Sequence, residues 1–181
     1  LIGSVSFSSA VAAQEERHEV RDLLTAENFV SAFYSFEPDK LKPHLYNAGT
    51  SEPFISFYQG WAKGGNYIIA NRHPCKISEP QKISCSITVI DDLVKALDID
   101  FNVTDTFHLS FDSGNITSFD LTTDDPPVYL EAQKWVVENR PELFNDACSG
   151  FFEGGPTPEE CVRGMLQGYK DFKARIDAIN E

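Results

Sequence analysis

Positive charge is scarce in this chain. Its 181 residues contain 15 Lys and Arg against 28 Asp and Glu, which gives a formal net charge of -13 at pH 7. Most of the surface would therefore repel a phosphate backbone, and no cluster of basic residues reverses that repulsion locally. For this reason we expect no nucleic-acid partner.

Long apolar runs and metal-binding motifs are also missing. Nothing beyond the amino terminus approaches the roughly 20 apolar residues that a membrane-spanning helix requires. The four histidines and four cysteines form no Cys-x-x-Cys, His-x-His or His-Glu-x-x-His pair, and these are the spacings typical of zinc ligands. We expect no membrane span, no metal and no cofactor.

The first residues of the chain have the character of an export signal. Residues 1–13 are small or apolar and end in Ala-Val-Ala-Ala, after which Gln14-Glu15-Glu16 changes the character abruptly. This pattern is similar to the end of a secretory signal with its small-residue cleavage site. We expect residues 1–13 to be a signal-peptide remnant and the protein to be periplasmic or secreted; a tail of an intracellular protein is the alternative.

The four cysteines fall into two local pairs. Cys75 and Cys85 flank a predicted turn and lie on one apolar face, so a disulfide across a hairpin is geometrically possible. Cys148 and Cys161 bracket a loop of about a dozen residues that a second bridge would close. We expect both disulfides, which agrees with export; four buried thiols in a cytosolic protein are the alternative.

Apolar spacings of three and four predict helices at both ends of the chain. The first carries Val20, Leu23, Leu24, Val30, Phe33 and Tyr34 as its buried stripe. The third opens with Ser51 as a predicted cap, and the last opens with a capping box at Thr157. Helices are predicted over residues 14–36, 40–45, 51–64, 128–139 and from 158 onward, with a loop over 145–156.

Between the helices the apolar period changes to two, which is typical of strands. Strands are predicted over residues 67–77, 83–90, 96–105 and in a hairpin over 106–121. A two-residue turn in this hairpin would place Asp120 near Asp105 on the inner face. A bulged three-residue turn would instead bring Phe119 and Leu121 inward, and it is favoured because it buries more apolar surface.

Two segments resemble the nuclear transport factor 2-like superfamily, also called SnoaL-like. ENFVSAFYSFEPDKLKPHL resembles its opening helices, and TFHLSFDSGNITSFDLTTDD followed by EAQKWVVENRPELF resembles its closing strands and the helix after them. The resemblance covers residues 20–140. It implies an α+β fold in which N-terminal helices pack on a strongly curved antiparallel sheet, a cystatin-like cone over residues 14–144, with a loop and a C-terminal helix over 145–181 packing on the same domain.

The cone implies a pocket for a small, mostly apolar molecule. The aromatic and aliphatic residues expected to contact it are Phe33, Tyr34, Phe57, Tyr58, Trp61, Phe107, Leu109 and Phe111. Each of them also suits an ordinary hydrophobic core. The expected function is a noncatalytic binding or interaction module.

A cofactor-free lyase, isomerase or hydrolase is the alternative function. Enzymes of this superfamily place a carboxylate or histidine in the cavity, where burial raises the pKa of a carboxylate toward neutrality. Asp105 points to the same face of the predicted strand as Phe107. It resembles the aspartate that precedes the penultimate strand of ketosteroid isomerases. Together with His73 and Tyr58 it would form a dehydratase-like catalytic set. The opposing interpretations are an exposed strand end for Asp105 and a hairpin edge for His73.

The outer face of the predicted sheet is polar. The residues that alternate with the apolar ones should point to this face, and they are Ser84, Ser86, Thr88, His108 and Ser110. Because such a face offers little apolar area, we expect at most a weak homodimer through the sheet.

Overall fold

The computed structural model describes residues 6–149 and 158–180. The α-helices are α1 (Ser6–Phe33), α2 (Pro38–Leu41), α3 (Glu52–Gly64), α4 (Asp92–Ala96), α5 (Pro127–Asn139), α6 (Pro141–Phe144) and α7 (Pro158–Asn180). The strands are β1 (Ile68–Arg72), β2 (Lys76–Glu79), β3 (Lys82–Ile90), β4 (Val103–Asp112) and β5 (Asn115–Thr123). Short 3₁₀ helices at Lys42–His44 and Gly49–Ser51 precede α3. The architecture is α+β, as predicted.

Helix α1 packs on the sheet only through its second half. Ala26, Phe29 and Val30 are fully buried, whereas Val20 and Leu24 are 62% and 61% exposed. Including Val20 and Leu24 in the buried stripe was therefore wrong, because they lie four residues apart in the solvent-facing row of the helix that continues to the exposed Asn28. The helix also runs without a break through the predicted junction between residues 13 and 14, while residues 1–5 lie outside the described part.

Ser51 joins α3 to the sheet instead of capping the helix. Its side chain makes no capping hydrogen bond. The hydroxyl accepts a hydrogen bond from the Phe119 amide at 3.3 Å and lies 3.5 Å from the Phe119 carbonyl oxygen. The predicted capping role is thus wrong for Ser51. The corresponding prediction for Thr157 lies outside the described residues, as do residues 150–156 of the predicted loop.

The sheet has five antiparallel strands in the order β1-β3-β4-β5, with β2 also paired to β3. One predicted strand over residues 67–77 is two strands, since Pro74 interrupts it and both pieces pair with β3. The predicted strand over 96–105 is wrong in its first part. Helix α4, which Asp91 caps by accepting a hydrogen bond from the Leu93 amide at 2.7 Å, ends at Ala96. A turn and an irregular segment follow it, and β4 begins only at Val103.

The β4–β5 hairpin combines a two-residue turn with a bulge. Asp112 pairs with Asn115, and the register shifts by one residue between Ser110 and Phe111. From that point Leu109 pairs with Phe119, and Phe107 with Leu121. The prediction that Phe119 and Leu121 turn inward is confirmed, and Asp120 lies opposite His108 on the outer face. The predicted three-residue turn is wrong, because the bulge lies within the strands and not in the turn.

That outer face is a ladder of polar side chains. Across β3 and β4 the paired atoms are Ser84 Oγ with His108 Nδ1 at 3.1 Å, Ser86 Oγ with Thr106 Oγ1 at 3.0 Å, and Thr88 Oγ1 with Thr104 Oγ1 at 3.1 Å. The face is polar, as its parity predicted, and these side chains bond to one another within the chain. The weak dimer stays a prediction.

Helix α7 approaches its neighbours through glycine. A β-carbon on Gly168 would lie 2.4 Å from Val136 Cγ2 of α5, and one on Gly164 would lie 2.2 Å from the Leu143 carbonyl oxygen of α6. The helices can pack at this distance only because those positions lack a side chain. The same region is closed covalently by a disulfide between Cys148 and Cys161.

Both predicted disulfides are present, and neither cysteine pair is left reduced. Cys75–Cys85 joins the start of β2 to β3, and Cys148–Cys161 joins the turn after α6 to α7. Two bridges in one chain favour an oxidising compartment. In residues 6–149 and 158–180 no helix combines the length and the apolar character needed to cross a membrane.

Glu27 ties α1 to the edge of the sheet. Its Oε2 accepts a hydrogen bond from Arg72 Nη2 at 2.6 Å, and its Oε1 accepts one from the Cys75 amide at 2.6 Å. Arg72 also donates to the Glu27 carbonyl oxygen at 2.8 Å and to Ser31 Oγ at 3.0 Å. One carboxylate therefore connects the helix to β1 and to the residue that begins the first disulfide.

Replacing Glu27 by Ala should destabilise the protein measurably. It removes hydrogen bonds to a charged group that are partly shielded from water, so we expect the free energy of unfolding in urea to fall by about 2 kcal/mol. Glu37→Ala is the matched control, because the Glu37–Lys40 pair is exposed and such pairs contribute roughly 0–1 kcal/mol. Equal losses in the two variants would contradict the anchoring role of Glu27.

Candidate functional site

A cavity of about 350 Å³ opens beyond the carboxyl end of α1. Its apolar lining consists of Phe33, Phe57, Trp61, Ala62, Leu121, Leu130 and Phe144, together with the Cys148–Cys161 disulfide. Its polar lining consists of Tyr58, Tyr67, Asp105, Thr123, Asp125, Tyr129 and Gln133. The cavity thus has aromatic walls and carries phenol and carboxyl groups.

The cavity exists because α1 covers only part of the sheet. The ring of Phe107 packs against Phe29 and Phe33, with centroids 5.3 and 4.8 Å apart. Two residues earlier on the same face of β4, Asp105 lies near the point where α1 ends. There α3 and α5 flank the start of β4 and the end of β5, and the space between these elements stays open.

The expected ligand contacts divide between cavity and core. Phe33, Phe57, Tyr58 and Trp61 line the cavity. The remaining expected contacts from the hairpin are Phe107, Leu109 and Phe111, which are 0%, 1% and 3% exposed and do not line it. These three hairpin residues belong to the core and not to the cavity wall, because α1 is long enough for its aromatic side chains to cover that part of the strand.

Asp105 is the buried carboxylate of the cavity. It is 4% exposed, and its Oδ2 accepts a hydrogen bond of 2.6 Å from the Tyr34 hydroxyl. Burial raises the pKa of Asp105 to about 7; the bond from Tyr34 lowers it, and the charges of Asp125 and Asp124 raise it further. Near neutral pH this carboxyl group can therefore hold or release a proton.

Tyr34 reaches the site from behind Asp105. Its hydroxyl bonds to the carboxylate while its ring packs on Phe33, with the centroids 5.0 Å apart. Burial raises the pKa of Tyr34, and the Asp105 charge raises it further. The phenol therefore stays protonated and acts as a hydrogen-bond donor.

Further carboxylates surround this end of the cavity. Asp125 Oδ2 accepts a hydrogen bond from Thr123 Oγ1 at 2.5 Å, and burial raises the pKa of Asp125. Asp91 is 1% exposed, and burial raises its pKa to about 7. Burial also raises the pKa values of Tyr58, Tyr67 and Tyr129, and the charge of Asp125 adds to the increase at each.

The structure does not bring His73 to the cavity. His73 is exposed at the break between β1 and β2, where its amide donates to the Ser86 carbonyl oxygen at 3.1 Å and its Nε2 lies 3.0 Å from Asn71 Nδ2. The dehydratase-like set is therefore not assembled, although Asp105 and Tyr58 both line the cavity. The cause is the Pro74 break, which leaves the residue before it at the sheet edge.

Several lining residues were missed in the sequence. They come from the end of β5, from α5 and from the segment that follows it. One usable signal was the hairpin register, which pairs Asp105 with Thr123 and so brings the Asp124-Asp125 segment next to the buried carboxylate. The position of α5 over the cavity has no comparable signature in the sequence.

Comparison with protein-family models, with curated proteins and with solved structures finds no match. Across the described ranges, no group of three or more His, Cys, Asp or Glu side chains has the arrangement of a metal site. The function is therefore argued from the cavity itself.

Asp105 should make stability depend on pH. Its pKa of about 7 in the folded protein exceeds the value of about 3.9 for an unfolded aspartate, so the folded state binds more protons between these pH values. The stability that Asp105 contributes is fully present below about pH 4 and is lost as the pH rises through about 7. Asn at this position cannot titrate and still offers Tyr34 an acceptor.

The measurement is urea unfolding of wild type and Asp105→Asn at several pH values. Relative to wild type, the free energy of unfolding of the variant should rise by roughly 2 to 3 kcal/mol between about pH 5 and pH 8. Asp112→Asn is the control, because this exposed aspartate ends the same strand. If wild type and Asp105→Asn changed in parallel, the pKa of Asp105 would be normal and this account would be wrong.

Proposed function

We propose that the protein is a noncatalytic module that binds a small, mostly apolar molecule in this cavity. The observation that carries the proposal is the cavity of about 350 Å³ with aromatic residues from four helices in its walls. Ligand sites are commonly concave, mostly apolar and roughly 300–1,000 Å³ in volume, with a few placed polar groups. Asp105, which accepts the Tyr34 hydroxyl, supplies such a group in the wall, although Tyr34 itself does not line the cavity.

We also propose that the fold is a strongly curved cone of the nuclear transport factor 2-like type. In support, a long helix, a short helix and a third helix precede the antiparallel sheet, and α1 lies on its inner face. Register shifts between Ile69 and Asn71 in β1, and between Ser110 and Phe111 in β4, are irregularities of the kind that bend strands.

A cofactor-free lyase, isomerase or hydrolase is the second candidate, and one observation favours it. Asp105 has a pKa of about 7, which suits a general acid or base near neutral pH, and Tyr34 donates to the same carboxyl group. No histidine lines the described cavity to act as a second proton-transfer group. Asp105→Asn separates the two functions, since an enzyme would lose turnover while a binder would keep most of its affinity for a neutral ligand.

Binding should be visible with N-phenyl-1-naphthylamine, an apolar probe whose fluorescence increases out of water. We expect saturable binding of one probe per chain. Thr123→Trp should weaken it by about tenfold or more, because Thr123 lines the cavity and a tryptophan there occupies its space. Thr122→Trp is the matched control, since both threonines are exposed but Thr122 bonds to His108 on the other face of β5.

Absence of saturable binding to the wild type would overturn the proposed function. An equal loss of binding in Thr122→Trp and Thr123→Trp would show that the probe does not occupy this cavity. Mass spectrometry of molecules that co-purify with the protein would identify the natural ligand.

A further inference from the structure

The cavity has negative groups without a positive counterpart. Asp105 and Asp125 line it, and none of its described lining residues is a lysine, arginine or histidine. Arg72, whose charge acts on the nearby Tyr34, is already paired with Glu27 at 2.6 Å. A buried carboxylate without a charge partner is costly, so this site favours a ligand that brings the missing positive charge.

Asp105 has one oxygen available for such a ligand. Its Oδ2 is occupied by the Tyr34 hydroxyl at 2.6 Å, and no hydrogen bond to its Oδ1 occurs among residues 6–149 and 158–180. The carboxylate is 4% exposed and lines the cavity. Asp125 is arranged similarly, with Oδ2 bonded to Thr123 Oγ1. The cavity therefore offers acceptors for the donors of an ammonium group.

The walls suit the same kind of ligand. Phe57, Tyr58, Trp61, Tyr67 and Tyr129 are aromatic residues of the lining. The face of an aromatic ring attracts a cation, and aromatic cages with a nearby carboxylate are a common means of recognising organic ammonium groups. A ligand anion would be repelled by Asp105 and Asp125, and a neutral hydrocarbon would leave their oxygens without partners.

We propose that the ligand of this cavity is an organic amine, with its ammonium group at Asp105 and Asp125 and its apolar body against the aromatic walls. This inference rests on the proposed binding function and specifies the class of ligand. It assigns Asp105 as the residue that distinguishes amines from neutral molecules of the same shape, with Tyr34 holding the carboxylate in place.

Binding should also depend on pH through Asp105. The ionisable groups around it are Tyr34 from α1, Tyr58 from α3, Tyr67 before β1, Arg72 from β1, Asp91 after β3, and Asp124 and Asp125 after β5. The tyrosines stay neutral, so Asp105 and Asp91, whose pKa values burial raises to about 7, are the groups that titrate near neutrality. An alkyl ammonium stays charged there, and amine affinity should increase as the pH rises from about 5.5 to 8 and Asp105 loses its proton.

The experiment compares three indoles of the same size by isothermal titration calorimetry. Tryptamine carries an ammonium group, 3-propylindole is its neutral isostere, and indole-3-propionate carries a carboxylate. Phenethylamine and propylbenzene repeat the comparison with a smaller ring. We expect each amine to bind at least about tenfold more tightly than its neutral isostere at about pH 8, and the carboxylate to bind most weakly.

Asp105→Asn tests the assigned residue, and Asp112→Asn on the same strand is the control for the change of charge. In Asp105→Asn the preference for amines should fall by about tenfold and its increase with pH should become clearly smaller, while 3-propylindole binding changes little. The Asp112→Asn variant should keep both the preference and the pH dependence.

The outcomes separate this inference from the proposed function. If N-phenyl-1-naphthylamine binds but tryptamine and phenethylamine bind no better than their neutral isosteres, the cavity takes neutral ligands and the amine inference is wrong. If the amine preference survives in Asp105→Asn, the assignment of Asp105 is wrong. If neither the naphthylamine probe nor any indole binds, the binding function itself is overturned.

Discussion

The packing of Phe107 against α1 is the contact on which the rest of the structure depends. The ring lies 5.3 Å from Phe29, 4.8 Å from Phe33 and 6.2 Å from Tyr34, measured between centroids. It holds the last turns of the helix on the sheet. Because Asp105 is two residues away on the same face of β4, the contact also places the Tyr34 hydroxyl on that carboxylate. The hydrophobic core and the cavity wall therefore share one face of β4.

The buried carboxylate is the feature that the fold tolerates at a cost. An aspartate that is 4% exposed weakens the folded state whenever it is charged, and a single bond from Tyr34 offsets only part of that desolvation. A hydrophobic residue there would pack without this penalty. The surrounding structure has strong links elsewhere, including two disulfides and the Glu27–Arg72 contact between α1 and β1. Such links let the domain hold a polar group in its interior.

The second disulfide connects stability to the cavity directly. Cys148 and Cys161 are part of its lining, and they join the turn after α6 to α7. Helix α7 packs against α5 at Gly168, where a β-carbon would lie 2.4 Å from Val136. Through these contacts the C-terminal elements support the helix that contributes Tyr129 to the wall. The cavity is consequently formed by helices that precede the sheet and helices that follow it.

Local pattern in the sequence was enough to predict the longer helices, most strands, the two disulfides, the polar outer face and the inward position of Asp105, but not the short helices α4 and α6. Each depends on periods of 2 or 3.6 residues or on near neighbours in the chain. The tertiary structure alone decided that Phe107 belongs to the core while Phe57 and Trp61 line the cavity. It also decided that His73 stands at an edge and that α5 brings Tyr129 over the cavity. Periodicity shows which face of an element is buried, but what covers that face depends on where distant elements end and pack.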